Sequence, residues 1–309
     1  NQAEDARRFS REHGTHVAGV IAANHNDIGI DGIAPEATLV PIKALNESDL
    51  LYPEALVCAY EWATTHQVDI VHNSYQMDPW VYWSPTDPEQ AAALEAAERA
   101  IHRAQSSGLA VIAGAGDRGV DIDHPTTDSD SPTDSTPIPN RSVKGARMVP
   151  AQVSGVVTVS SVGMEDWNAE PLRATLVRAE RSNYGASVDF AAPGEWIYST
   201  YPNGRIPQIY GYTSGTSTAA AHVSGIAALV KSVHPTLPGA QIISIMRKQA
   251  AYEYGRLKAS SDGAEYRGYG FLDARAAMVF DQAFPVIRAV EYRVGDGEWT
   301  SLSGAVLPA

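Results

Sequence analysis

The chain predicts an α/β protein: a doubly wound, mostly parallel sheet flanked by helices, with a short β extension at the C-terminal end. Three observations carry this prediction. Short apolar runs, "VDIVHNS" (68–74), "LAVIAGAG" (109–116) and "VVTVSSVG" (156–163), have the length and composition of strands. Between and around them lie segments of helical period, at 53–66, 88–108 and 218–235. Strands that alternate with helices argue a parallel sheet covered on both faces, with any site at the carboxyl ends of its strands.

In chain order, "HGTHVAGVIAA" (13–23) reads as a buried helix and "ATLVPIKAL" (37–45) as a strand. "PEALVCAYEWATTH" (53–66) has helical spacing, with Leu56, Tyr60 and Ala63 on one face and Cys58 assigned to the core. "PEQAAALEAAERAIHRAQSSG" (88–108) is an Ala/Glu-rich helix ended by Gly108. "TAAAHVSGIAALVKSVHP" (218–235) is a long apolar helix stopped by Pro235. A turn and a closing helix follow near 268–280, and 286–309 alternates like a hairpin around "GDGE". The main domain therefore spans 1–284, and 285–309 begins a β-rich extension. Two segments break the rhythm: the Pro-punctuated aromatic loop 77–88 and the long acidic loop 117–148. Loops of that kind in a compact domain are usually functional or mobile.

With 309 residues and 44% hydrophobic content there is ample core. The formal net charge of −13 argues against nucleic acid or an anionic membrane surface as partner. One cysteine excludes an intrachain disulfide without fixing the compartment. The sequence contains no apolar run of the ~18 residues that a membrane span requires.

Two stretches could do chemistry. His13 and His16 share a helix face without the carboxylate a zinc motif would add, so no metal is assigned to them. His13, placed ahead of a small-residue helix, is expected at the helix N-terminus as an exposed general base. Ser217 precedes a helix, where serine is an ordinary cap. Gly215 permits a tight turn there, and Ala219, Ala220 and Ala221 leave the helix start open. Helix N–H groups at that end favour a developing oxyanion.

Together, "HGTHVAG" and "GTSTAAAHVSG" resemble the histidine and serine motifs of the subtilisin-like serine proteases. Stretches at 26–45, 68–76, 110–119, 156–163, 182–200 and 269–277 resemble that family in the family's order, so the resemblance covers about 13–282. It implies a secreted or extracytoplasmic serine endopeptidase acting on peptides or proteins, with His13 as general base and Ser217 as nucleophile. Ser217 and Asp117 take the oxyanion-hole positions. Ser74, Tyr75 and Gln76 form one wall for an extended substrate, and Ala113, Gly114, Ala115, Gly116 and Arg118 the other.

The departures from the family pattern are specific. Its aspartate lies some thirty residues before the histidine in a D-[ST]-G turn, whereas twelve residues precede His13, and Asp5 lacks that turn. The triad aspartate is either truly lost or carried on an N-terminal fragment removed or held separately; the second is expected, because loss of its strand would leave a core sheet edge bare. Asp117 stands where the family has an asparagine donor; it is either a protonated donor or a structural residue of a decayed site. Ala221 replaces the family's proline, which points to peptide ligation or macrocyclisation as an alternative, and a peptide-binding pseudoprotease is the other. Arg118 pairs with an acidic substrate side chain or neutralises Asp117. Trp80, Tyr82 and Trp83 line distant subsites or pack on their own loop. No cofactor is required; "NHNDIGI" (24–30) resembles the family's calcium loop, with Asn26 at a ligand position.

Overall fold

The computed structural model describes residues 2–166, 175–202, 210–252, 265–279, 291–292 and 300–301. Two units emerge, Asn1–Met278 and Val279–Ala309.

The larger unit is organised around a six-stranded sheet of order β1 (Ile70–Asn73), β2 (Ala110–Gly114), β5 (Val157–Met164), β7 (Phe190–Pro193), β10 (Gly270–Phe271). Those neighbours are parallel; β6 (Leu176–Arg178) runs antiparallel to the end of β5. Two small antiparallel pairs stand apart: β3 (Thr127–Asp128) with β4 (Arg141–Ser142), and β8 (Ile197–Thr200) with β9 (Tyr210–Thr213).

Alternation along β2 shows how the sheet is covered. Val111 and Ala113 belong to the same core cluster as Leu56, Tyr60 and Ala63 of α2 (Pro53–Thr65) and Leu94, Ala97 and Ile101 of α3 (Ala91–Ser106). Ala110 and Ile112, one residue out of phase, are also fully buried and face the other way. Helix α4 (Thr216–Val233) packs across β1, β2, β5 and β7, and α5 (Gly239–Tyr252) packs on α4, β2 and β10. The sheet is thus sandwiched, the arrangement the strand–helix alternation predicts.

Helix α1 (Gln2–Ala22) packs on α4 and β8. Gly19 is required there: a Cβ would lie 2.1 Å from Thr200 Oγ1 and 2.5 Å from Ser199 Oγ. α1 begins eleven residues before His13, so the expectation of a histidine at a helix start is corrected. "AEDARRFSRE" is dominated by Ala, Glu and Arg, good helix formers, with no Gly or Pro to stop it.

Two further expectations are corrected. Segment 37–45 is no strand: residues 38–45 make no backbone hydrogen bond among the described residues, and Leu39, Val40 and Ile42 are exposed. A strand exists only by pairing, and this apolar segment has no neighbour to pair with. Cys58 is exposed rather than core. At 100° per residue it stands about 200° around α2 from Leu56, on the solvent side. Helix α6 (Ala274–Val279) follows β10 as the closing helix.

The smaller unit shows an antiparallel pair, β11 (Glu291–Tyr292) with β12 (Thr300–Ser301). The "GDGE" turn expected between them lies outside the described residues. Among the described residues no helix is long and apolar enough to cross a membrane.

Candidate active site

β1 and β2 end side by side, so the chain leaving each passes the same point of the sheet. There a cleft of about 440 Å³ is lined by Ser74, Tyr75 and Gln76 after β1 and by Gly114, Gly116, Asp117 and Arg118 from β2 onward. Ser217 lines it as well. Ala113 and Ala115 are fully buried behind this wall and do not line the cleft. Thr216 of the serine motif lines it, as do Asp130, Met148, Val149, Ala151 and Arg181, which carried no motif in the sequence. Asp130 and Met148 arrive on the long loop, and only the fold brings them back to β2.

Ser217 is the second residue of α4, and Gly215, at φ +150°, is the N-cap without any side-chain cap bond. The serine is therefore not spent on capping. Neither its hydroxyl nor its N–H has a partner among the described residues. The preceding N–H, of Thr216, donates to Asp117 Oδ1 at 2.8 Å, and Gly116 N–H donates to Thr216 Oγ1 at 3.0 Å. A Cβ at Gly215 would lie 3.1 Å from Asp117 Oδ2, so the carboxyl occupies the space a side chain would take. Burial raises the Asp117 carboxyl above the usual range, against the opposing pull of Thr216, Arg181 and Arg118.

His13 stands on α1, outside the cleft lining, and is half-buried. Burial holds its imidazole below the usual range, and the neighbouring His16 adds to that, so it is neutral at pH 7. Val17 of α1 and Ala221 of α4 share a core cluster. His13 lies one turn before Val17 and Ser217 one turn before Ala221, so both stand a helical turn from the same contact. His16 is structural: fully buried, its Nε2 lies 2.9 Å from the Ile197 carbonyl. A further histidine, His72 on β1, is enclosed between Ser74, which its Nε2 contacts, and Ser224 Oγ of α4, 3.0 Å from its Nδ1. Burial lowers its pKa to about 3.

Arg118 reaches across the cleft mouth. Its Nε donates to Asp130 Oδ2 at 2.9 Å and its Nη1 to Gln76 Oε1 at 3.0 Å, while its charge also pulls the Asp117 carboxyl down against burial. The two irregular loops pack on each other. Thr133 Oγ1 donates to Asp78 Oδ1 at 2.6 Å, and Val81 N–H donates to Ser131 Oγ at 2.8 Å. Tyr82 and Trp83 are buried in the main core cluster, and Trp80 packs against it. These aromatics hold their loop rather than face a ligand. The long loop is anchored by a buried ion pair, Arg141 Nη2 to Asp128 Oδ2 at 2.8 Å.

Asn26 Oδ1 accepts from Ile28 N–H at 3.1 Å, closing its own turn, and the described residues hold no cluster of three His, Cys, Asp or Glu side chains suited to a metal.

The subtilase family model matches residues 1–271. Subtilisin DY of Bacillus licheniformis is 31% identical over 265 residues, covering 86% of this chain and 77% of that protein. Subtilisin E of Bacillus subtilis (strain 168) is 31% identical over the same share of this chain but only 55% of its own length, so the chain spans about half of it. Among solved structures, a lanthipeptide protease superposes with a TM-score of 0.63 at 27% identity, covering 87% of this chain and 75% of that one. A protease from Pseudoalteromonas arctica PAMC 21717 gives 0.62 at 29% identity, covering 87% and 70%. On the family match over most of its length and on these relatives, the chain belongs to the subtilase family.

Proposed function

We propose that the chain is a serine endopeptidase working through an acyl-enzyme, exported from the cytoplasm. The observation that carries this is Ser217: an unencumbered hydroxyl on the first turn of α4, lining a cleft formed by the carboxyl ends of β1 and β2. Its Oγ attacks the carbonyl carbon of an extended peptide lying between Ser74–Gln76 and Gly114–Gly116. Neutral His13 takes the hydroxyl proton and returns it to the leaving amine. The oxyanion meets the open N–H of Ser217 and the positive end of α4, with Asp117 supplying a donor only when protonated.

The aspartate that orients His13 comes, in this reading, on a strand from outside residues 1–309. Support lies in the sheet: among the described residues β1 is an edge strand, and residues 38–45 make no backbone hydrogen bond while Leu39, Val40 and Ile42 are exposed. An added strand would satisfy such groups.

A biotinylated fluorophosphonate tests the reading. It should label the protein at Ser217, and Ser217→Ala should abolish the label. Peptides carrying a D-[ST]-G strand should raise the labelling rate. An intact protein that stays unlabelled with and without such peptides overturns the assignment.

A further inference from the structure

The β8–β9 hairpin has two unlike faces. Ile197, Ser199, Gly211 and Thr213 are cross-strand partners on the face toward α1: Ser199 Oγ donates to the His16 carbonyl at 2.8 Å, and Ile197 packs against the core cluster that includes Val17 and Val20. The opposite face is aromatic. Tyr198 and Tyr212 are directly paired, with ring centroids 4.8 Å apart. Tyr210 extends the row at 5.6 Å from Tyr198, and Trp196 at 6.5 Å from Tyr212. The rings remain in solvent: Trp196 is 64% exposed, Tyr212 63% and Tyr198 40%. Contiguous exposed aromatics of this kind mark interaction sites.

Trp196 also has a φ of +53°, a region that bulky side chains avoid. Ser214 Oγ accepts its N–H at 2.9 Å and holds the residue there. Backbone held in so sparse a region collects at ligand sites. Ser214 is three residues from Ser217, so the aromatic row ends beside the nucleophile, yet none of its rings lines the cleft.

We propose that this face binds the part of a peptide substrate beyond the cleaved bond, and that it selects lysine and arginine side chains there. The placement rests on the peptidase reading. The acyl half occupies the cleft, and the aromatic row begins outside it at Trp196, which is tied to Ser214 three residues before Ser217. The charge preference rests on the rings themselves, whose faces attract cations. Glu195 next to Trp196 and exposed Asp27 next to Ile28, whose carbonyl accepts the Tyr210 hydroxyl, add negative charge at both ends.

Fluorescein-labelled (Ala-Lys)3, (Ala-Gln)3 and (Ala-Glu)3 peptides, titrated by anisotropy against the Ser217→Ala protein, read the binding directly. The lysine peptide should bind about tenfold tighter than the glutamine peptide, with the glutamate peptide weakest. Trp196→Leu and Tyr212→Leu, each at an exposed position, should erase most of that margin; Trp196→Phe should keep it. Leucine variants that retain the margin overturn the proposal, as does a glutamine peptide that binds equally well. Placement is read by hydrolysis: lysine in the leaving half should raise kcat/KM, and Trp196→Leu should remove that gain without slowing a 4-nitrophenyl ester of the same acyl half. Hydrolysis indifferent to the leaving half sinks the inference and spares the peptidase reading; a binding margin without any hydrolysis does the reverse.

Discussion

Replacing Asp117 by Asn probes the oxyanion site at a single atom. Asp117 Oδ1 already accepts the Thr216 N–H at 2.8 Å, and an amide oxygen keeps that bond. The change is confined to the second atom, which turns from a carboxyl oxygen into an NH2 donor beside Gly215. Loss of one such donor in subtilisin costs about 2.7–4 kcal/mol, or about 10²–10³ in rate. The gain from Asp117→Asn should approach that size wherever the wild-type carboxyl is ionised. Below its raised pKa, Asp117 is protonated and donates for itself, so the advantage should shrink as pH falls. His13 sets the other limit: its lowered pKa keeps the base neutral further into acid than an ordinary histidine, so the comparison can be made there. The measurement is kcat/KM for a 4-nitrophenyl ester from pH 5 to 9, as the ratio of variant to wild type. A ratio near one at every pH, with folding intact, would refute the oxyanion role of residue 117.

Three other outcomes follow from the packing. Arg141→Met leaves Asp128 buried without its cation and should cost about 3–5 kcal/mol in urea unfolding. His72 is neutral in the folded protein with a pKa of about 3 against 6.5 unfolded, so the unfolded chain binds the extra proton between those values. Stability should therefore fall as pH drops through that window, by at most about 1.4 kcal/mol per unit, and His72→Gln should flatten the slope. Leu56→Ala should cost about 2–5 kcal/mol, while Cys58→Ala on the same helix should be nearly neutral and Cys58 should react with a thiol reagent without denaturant.

What could be read from the sequence was local or periodic. The buried face of α2 is the Leu56, Tyr60, Ala63 stripe that its spacing predicts, because a 3.6-residue period survives whatever it packs against. β1 and β2 lie within their apolar runs, and β5 overruns its own by one residue, for a similar reason. Strand identity at 37–45 failed because pairing is a property of the neighbour, not of the segment. Cys58 was misplaced because apolar character was weighed above angle around the helix. In the site, the glycine-flanked serine was legible from its motif. Asp130, Met148 and Arg181 were not, since chain reversals bring them to the cleft from more than ten residues beyond β2. The aromatic row needed the register of β8 on β9, which no one-dimensional pattern specifies.

Ala221 has a consequence for evolution and for engineering. It is fully buried in one core cluster with Val17, Val20 and Ile21 of α1, between the helices that bear Ser217 and His13. On the proposed roles, the bulk at this position, one turn from Ser217, contributes to the spacing of the reacting groups. A larger residue there acts as a shim, pushing the helices apart, and a displacement of about 1 Å is enough to lower a rate about a hundredfold. Catalytic rate in this scaffold can be tuned at a position that never meets substrate, by the size of a side chain alone.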